Sequence, residues 1–300
     1  MAPDKEAVPP RPLRKPAWLR VQAGHGAAFG ATQRIVRGQR LHTVCEEALC
    51  PNRGRCWEHG RATIMILGGT CSRACRFCNV THARPEGCDP DEPRRVAEAV
   101  RAMGLRDVVL TSVTRDDLPD GGAALWAETI RAVRRAAPGC RVEVLVPDFS
   151  GSEAALGALI GTRPAVFGHN LETVRGLYPT VRPGADYARS LGVLRATARA
   201  GLIAKTGIMV GLGETAGEVA ALMRDAREAG VDIFTAGQYL QPSRQHLPVS
   251  RYVEPAEFEE YRRRGLELGF GAVVSGPLVR SSFHSDEQVA YVARRLGAEA

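Results

Sequence analysis

Long apolar runs are missing from this chain: nothing in it approaches the ~20 consecutive apolar residues that span a bilayer. The N-terminus has no apolar signal core, and Asp4 and Glu6 argue against a transit peptide. A cytoplasmic protein with no membrane partner is therefore expected. Aromatic residues make up only 6% of the sequence, and basic residues neither form a long block nor interleave with them. That argues against a nucleic-acid partner despite the formal net charge of +7. Much of the excess is arginine spread along helical stretches, such as Arg94, Arg95, Arg131, Arg134 and Arg135. An acidic protein partner or an anionic cofactor suits that charge as well. Cysteine is also sparse, at 8 of 300 residues. In a reducing cytosol, grouped thiols bind metal rather than pair as disulfides.

What is there is concentrated. Cys71, Cys75 and Cys78 stand in ILGGTCSRACRFCNV, spaced x3 and then x2, just after an apolar run and two glycines. At this cysteine content the pattern arises by chance with odds of about 2 in 100,000 per starting position, on the order of half a per cent over the chain. Three thiolates on one loop can face a single centre, which is iron–sulfur or zinc chemistry. Three ligands on a four-iron cube leave one iron open to bind something else, so the triplet suggests a reactive cluster. Upstream, LHTVCEEALCPNRGRCW holds Cys45, Cys50 and Cys56, a second triplet spaced x4 and x5. Pro51 and Gly54 break any helix there, so the last two thiols are expected on an irregular loop. A disulfide reading would strand an odd thiol. Two three-cysteine groups so close together point to paired iron–sulfur clusters sharing one pocket.

Around these groups the chain alternates. Residues 1–20 are rich in proline and charge and read as a mobile arm docking through Trp18 and Leu19. A short helix is expected over 34–42, and residues 21–62 form an N-terminal extension carrying the second triplet. Residues 63–270 give six strand–helix repeats, with strands in ATIMILGG, DVVLTSV, RVEVLVPD, AVFGHN, LIAKTGIMVG and DIFTAGQYL. Glu92-Pro93, Ser152, Asp186, the Thr215/Glu218 capping box and Pro255 open helices. GAVVSGPL reads as a seventh extended segment within a C-terminal extension, 271–300. Such repeats predict parallel strands with right-handed crossovers. A partial (βα)6 TIM-type barrel, an α/β fold, suits six repeats better than a doubly wound sheet. Functional residues then belong at the C-terminal strand ends, where Cys71, Thr111, Ser112, Asp148, His169, Asn170, Gly211 and Gln238 fall.

The first triplet resembles the CX3CX2C signature of radical S-adenosylmethionine (SAM) enzymes. The second triplet, with RSSF at 280–283, resembles the lipoyl synthase family, as do LHTVCEEALCPN, RDDLPDGGA, HNLETV, VRPGADY, GQYLQPSRQHLPV and RYVEPAEF. The similarity runs from about residue 15 to 292. It implies a partial βα barrel holding two [4Fe–4S] clusters, with SAM on the open iron of the Cys71/Cys75/Cys78 cluster. The implied reaction is radical-mediated insertion of two sulfurs at C6 and C8 of a protein-bound octanoyl-lysine, with the Cys45/Cys50/Cys56 cluster as sulfur donor. The family's serine ligand to that cluster maps to Ser282. An oxygen on a soft site is easier to displace than a fourth thiolate. Implied partners are octanoylated carriers (the lipoyl domains of E2 subunits and the glycine cleavage H protein) and a flavodoxin- or ferredoxin-type electron donor, with the enzyme a monomer. Phe283 replaces the family tyrosine and removes one hydroxyl, worth about 1 kcal/mol as a hydrogen bond.

GIMVGLGE (207–214) resembles the radical-SAM GxIxGxxE pattern, which makes Gly211 a candidate cofactor contact; it lacks the third glycine of a dinucleotide fingerprint. Thr111 and Ser112 are candidates for the SAM amino group, and Asn170, Glu172 and Arg182 for SAM or substrate. His42, His82 and His246 read as packing or hydrogen-bonding groups, and Cys140 as a small core residue; Cys88 has no assignment. Two other readings of the residues stay open. One is a radical-SAM enzyme whose second cluster transfers electrons or inserts sulfur elsewhere; the other is a non-enzymatic zinc scaffold or cluster carrier.

Overall fold

The computed structural model describes residues 13–21, 26–282 and 286–297. An N-terminal layer comes first, with helix α1 (Ala27–Gly38), strand β1 (His42–Thr43) and the short helices α2 (Val44–Glu47) and α3 (Arg53–Glu58). Strand β2 (Thr63–Ile66) then opens the repeats, and β3 (Thr70–Cys71) and β4 (Thr81–His82) form a separate two-stranded ladder around the first cysteine loop. The repeats continue through α4 (Glu92–Ala102), β5 (Asp107–Ser112), α5 (Ala123–Ala136), β6 (Arg141–Leu145), α6 (Glu153–Gly161) and β7 (Val166–Gly168). The short α7 (Tyr178–Val181) interrupts them before α8 (Tyr187–Arg199), β8 (Ala204–Val210), α9 (Ala216–Glu228), β9 (Ile233–Gln238), α10 (Pro255–Glu267), β10 (Ala272–Gly276) and α11 (Asp286–Arg295).

Eight strands make one sheet in the order β1-β2-β5-β6-β7-β8-β9-β10, with β1 and β10 at its edges among the described residues. Only the β1–β2 pair is antiparallel; all other pairs are parallel. This is the expected α/β partial barrel. Its strands read as unbroken apolar runs because both faces are covered, the outer by helices and the inner by lumen contents. The alternating face of α4 buries Val96, Ala99 and Val100 against β2 and β5, while α9 buries Val219, Leu222, Met223 and Ala226 against β8 and β9. The Thr215/Glu218 capping box is present, each side chain satisfying the other residue's backbone N–H. GAVVSGPL is a full seventh parallel strand, β10, in register with β9.

Three local expectations change. The helix expected at 34–42 lies at 27–38; it stops at Gly38 because Arg40 turns to a positive φ of 51° and His42 is drawn into pairing with Met65. Cys56 sits inside α3 rather than on an irregular loop: six residues tolerate Gly54 at a cost of about 1 kcal/mol, and Trp57, fully buried, anchors the turn. Leu19 docks but Trp18 stays 40% exposed.

Candidate active site

The glycines ahead of the first cysteine loop let the backbone turn sharply out of β2. Leu67 itself adopts a φ of 66°, held by Glu92, whose carboxylate accepts from the Leu67 and Gly68 amides at 2.7 and 3.4 Å. The loop is then tied to the 114–116 segment. Ser72 Oγ donates to the Thr114 carbonyl at 3.0 Å and accepts from the Asp116 amide at 3.0 Å. The Thr114 amide donates to Cys71 Sγ at 3.3 Å. Arg73, between the first two cysteines, lies between Asp116 Oδ2 at 2.6 Å and Asp148 Oδ1 at 2.7 Å. Asp148, whose side chain is wholly buried, also pairs with Arg189 at 2.8 Å. Burial pushes the Asp148 carboxyl up, but the hydrogen bond and charge of Arg73 outweigh it and hold the pKa at about 2. His82 and His246 each hydrogen-bond the Cys78 carbonyl, at 3.1 and 3.0 Å, and His42 pairs with Glu47 at 3.0 Å. All three are the hydrogen-bonding groups expected.

Cys71, Cys75 and Cys78 line a cavity of about 590 Å³ at the C-terminal strand ends. Thr111, Ser112, Asn170, Glu172 and Arg182 line it too. Thr111 Oγ1 donates to the Leu145 carbonyl at 2.9 Å, and Ser112 Oγ accepts from Trp126 Nε1 at 3.2 Å. Arg182 donates to the carbonyls of Asn170 and Leu171 and to the Tyr178 hydroxyl. Glu172, at a φ of 65°, accepts from Asn170 Nδ2 at 3.0 Å; burial raises its pKa, against the opposing charge of Arg182. Three polar atoms of the wall are buried without a partner: His169 Nε2, Asn170 Oδ1 and Arg182 Nε. Buried polar groups are nearly always satisfied, so such a wall fits a polar ligand.

Gly211 is the exception. It does not line the cavity. Its φ of 95° and the close approach of Gln238 Nε2 and the Arg251 carbonyl explain the glycine, and Glu214 caps its amide at 2.6 Å. The neighbouring strand residues Gly207, Ile208 and Met209 face the cavity instead.

Cys45, Cys50 and Cys56 line a second cavity of about 400 Å³, bounded by Thr63 and Asp107 at the N-terminal strand ends. Ser282 lines the same cavity. The two triplets therefore face two adjoining cavities rather than one, and Arg280 lines both. Burial pushes Cys56 up to about 11 and Cys78 up to about 12, and within each triplet the sulfurs raise one another further. Such thiols ionise when a metal centre supplies the compensating charge. Among the described residues no three His, Cys, Asp or Glu side chains converge on a point suited to one ion. Each triplet instead faces a volume far larger than one ion needs, and all-sulfur donors suit iron–sulfur cubes. Cys140 is buried at the start of β6, and Cys88 is exposed beside Arg115. Phe283 lies outside the described residues.

Sequence reasoning passed over Arg73, Arg280 and the glycines facing the lumen; His169 it placed at a strand end without giving it a role.

Residues 65–226 match the Radical SAM superfamily. The chain is 54% identical over 287 residues to the lipoyl synthase of Rubrobacter xylanophilus, across 95% of this chain and 89% of that protein. It is 53% identical over 283 residues to the lipoyl synthase of Thermus thermophilus, across 92% and 88%. Among solved structures it resembles Streptococcus suis SuiB bound to S-adenosylmethionine, with a TM-score of 0.53 and 11% identity over 72% of this chain and 50% of that one. It also resembles the hydrogenase maturase HydG from Carboxydothermus hydrogenoformans, with a TM-score of 0.56 and 14% identity over 78% and 56%. The chain spans about half the length of those two solved proteins, and at such identity the likeness is one of fold.

Proposed function

This chain belongs to the lipoyl synthase family of the radical SAM superfamily, and from that membership we propose that it inserts two sulfur atoms, at C6 and C8, into an octanoyl chain carried on a protein lysine. It is a sulfurtransferase that works with two [4Fe–4S] clusters and SAM. When bound, these supply reductive SAM cleavage to a hydrogen-abstracting radical and a source of sulfide.

The chain's own residues divide that work between the cavities. Cys71, Cys75 and Cys78 hold one cluster from a loop that Arg73 pins to Asp116 and Asp148. Asn170, Glu172 and Arg182, with the unpartnered atoms of the wall, receive the polar groups of SAM, and Thr111 and Ser112 line its binding volume. Phe77, Val113, Leu240 and Pro242 give the same cavity an apolar wall suited to an octanoyl chain. Cys45, Cys50, Cys56 and Ser282 hold the second cluster, the serine as the displaceable ligand. An E2 lipoyl domain or glycine cleavage H protein bears the substrate and a flavodoxin- or ferredoxin-type protein supplies the electron, the formal charge of +7 favouring acidic partners.

The observation that carries this reading is the pairing of two cysteine-lined cavities that meet at Arg280, with Ser282 in the second. Anaerobically reconstituted protein should contain about eight irons and eight sulfides. With SAM, a reductant and an octanoylated carrier peptide it should add the mass of two sulfurs. A variant with Cys45, Cys50 and Cys56 all changed to Ala should keep about four irons and SAM cleavage while adding no sulfur. Sulfur insertion by that variant, or robust SAM cleavage by the intact protein with no mass gain, refutes the assignment.

A further inference from the structure

After β10 the chain does not return along the outer surface. It turns at Gly276, where the Val279 amide donates to the Gly276 carbonyl at 3.0 Å, and residues 277–282 run along the inner face of β8 and β9. Gly237 marks where this begins. A Cβ built there would lie far inside contact distance of the Val279 carbonyl oxygen and 3.0 Å from its carbonyl carbon. At Gly207 on β8 a Cβ would run into the Thr235 hydroxyl first and would lie 3.1 Å from both Asn170 Oδ1 and Ser281 Cβ. Neither glycine has the positive φ that would demand glycine for backbone reasons. Glycine weakens a strand interior, and one free of conformational demand marks the close approach of another backbone.

Three hydrogen bonds hold the segment in this notch, and each comes from a different part of the molecule. The Gln238 amide on β9 donates to the Pro277 carbonyl at 3.3 Å. Asn52, between Cys50 and Cys56, donates to the Leu278 carbonyl at 2.7 Å. Asn170, in the wall of the larger cavity, donates to Ser281 Oγ at 2.9 Å. The segment enters beside the larger cavity, which Val279 and Ser281 line, and leaves in the smaller one at Ser282.

We infer that Gly237, with Gly207 beside it, is a positioning residue: the side-chain-free notch on β8 and β9 seats residues 277–282 and so delivers Ser282 to the cavity of Cys45, Cys50 and Cys56. This rests on the reading of Ser282 as the fourth ligand. A metal–oxygen bond tolerates only a few tenths of an ångström, whereas a methyl group at Gly237 forces the Val279 carbonyl to move on the order of 1 Å. Three residues later, that displacement is enough to unseat the serine without touching a cysteine.

The test compares Gly237→Ala with Ser282→Ala and wild type. In reconstituted protein, Gly237→Ala should reproduce the change in the second cluster's Mössbauer spectrum that Ser282→Ala produces, while the component from the first cluster stays that of wild type. In metal-free protein, amide exchange across 278–282 and at Gln238 should quicken at least tenfold. Asn52→Ala, which loosens the same segment without adding an atom, should quicken exchange in the same direction and keeps the idea testable should the alanine at 237 prevent folding. A Gly237→Ala protein with the wild-type spectrum and wild-type exchange overturns the inference, as does unchanged exchange in Asn52→Ala. If Ser282→Ala itself leaves the spectrum unchanged, the ligand reading fails instead, and the exchange data alone judge the notch.

Discussion

Replacing Asp148 by Asn removes one charge from the clamp on the first cysteine loop and almost none of its shape. Asp148 is buried, its two oxygens divided between Arg73 at 2.7 Å and Arg189 at 2.8 Å, with the Ser150 amide a third donor at 3.1 Å. Its carboxyl is held at about 2 against an ordinary 3.8, a preference for the charged form of about 2 kcal/mol. An amide loses that and also turns an N–H₂ toward one of two guanidinium groups, an unpaired buried donor costing about 1–3 kcal/mol more. Arg73 keeps Asp116 and thereby part of its pairing, so the expected loss is about 3 kcal/mol rather than the upper end for a broken buried pair. Because the folded pKa is depressed, the carboxylate's contribution is complete above pH 4 and fades only as pH falls from there toward 2. Urea denaturation of the metal-free protein at pH 7 reads the full effect. A double-mutant cycle with Arg73→Met should return a coupling above about 1 kcal/mol. A loss below 1 kcal/mol, or simple additivity, would show that the clamp does not hold the loop.

Two further outcomes follow from buried groups. His169 donates from Nδ1 to the Val146 carbonyl at 2.8 Å, and burial, reinforced by Arg182, lowers its pKa to about 4. A depressed folded pKa means the neutral ring stabilises the fold above the ordinary 6.5 and costs stability as pH falls below it. Wild type should lose about 2 kcal/mol more than His169→Gln between pH 7 and pH 5, and equal losses in urea titrations at the two pH values would contradict this. Gly211→Ala, with a φ of 95° and the Arg251 carbonyl 2.5 Å from the new methyl, should cost at least about 2 kcal/mol. A midpoint within 0.5 kcal/mol of wild type would mean the loop adapts freely.

What was legible in the sequence was local. The strand periods, the Thr215/Glu218 box and the proline-led helices α4 and α10 need only neighbours in the chain to be read, and each appears where its residues place it. The cysteine triplets are equally local, and their spacing alone keeps each on one wall. What the sequence hid depends on residues far apart. Arg73 shows its role only once Asp116 and Asp148 arrive from the loops after β5 and β6. Gly237 reads as a weak point in a strand until the 277–282 segment lies against it. Gly211 fits a family pattern, yet what the structure shows of it is a close approach by Gln238 and Arg251, and the glycine of that strand that lines the larger cavity is Gly207.

The smaller cavity shows how chain topology and ligand chemistry can be matched. Its thiols lie on an extension fastened by Trp57, which packs on Phe29 at 5.2 Å between ring centroids and whose carbonyl accepts from Thr32 at 3.0 Å. Its hydroxyl comes from the far end of the chain, on a segment held by three hydrogen bonds and a steric notch, with residues 52 and 278 joined across 226 positions. Closing so long a loop adds little entropy cost over closing a short one, so distance in sequence does not weaken the site. What differs is the strength of anchorage. On the proposed reading of Ser282 as the fourth ligand, a soft centre would release this oxygen before a thiolate.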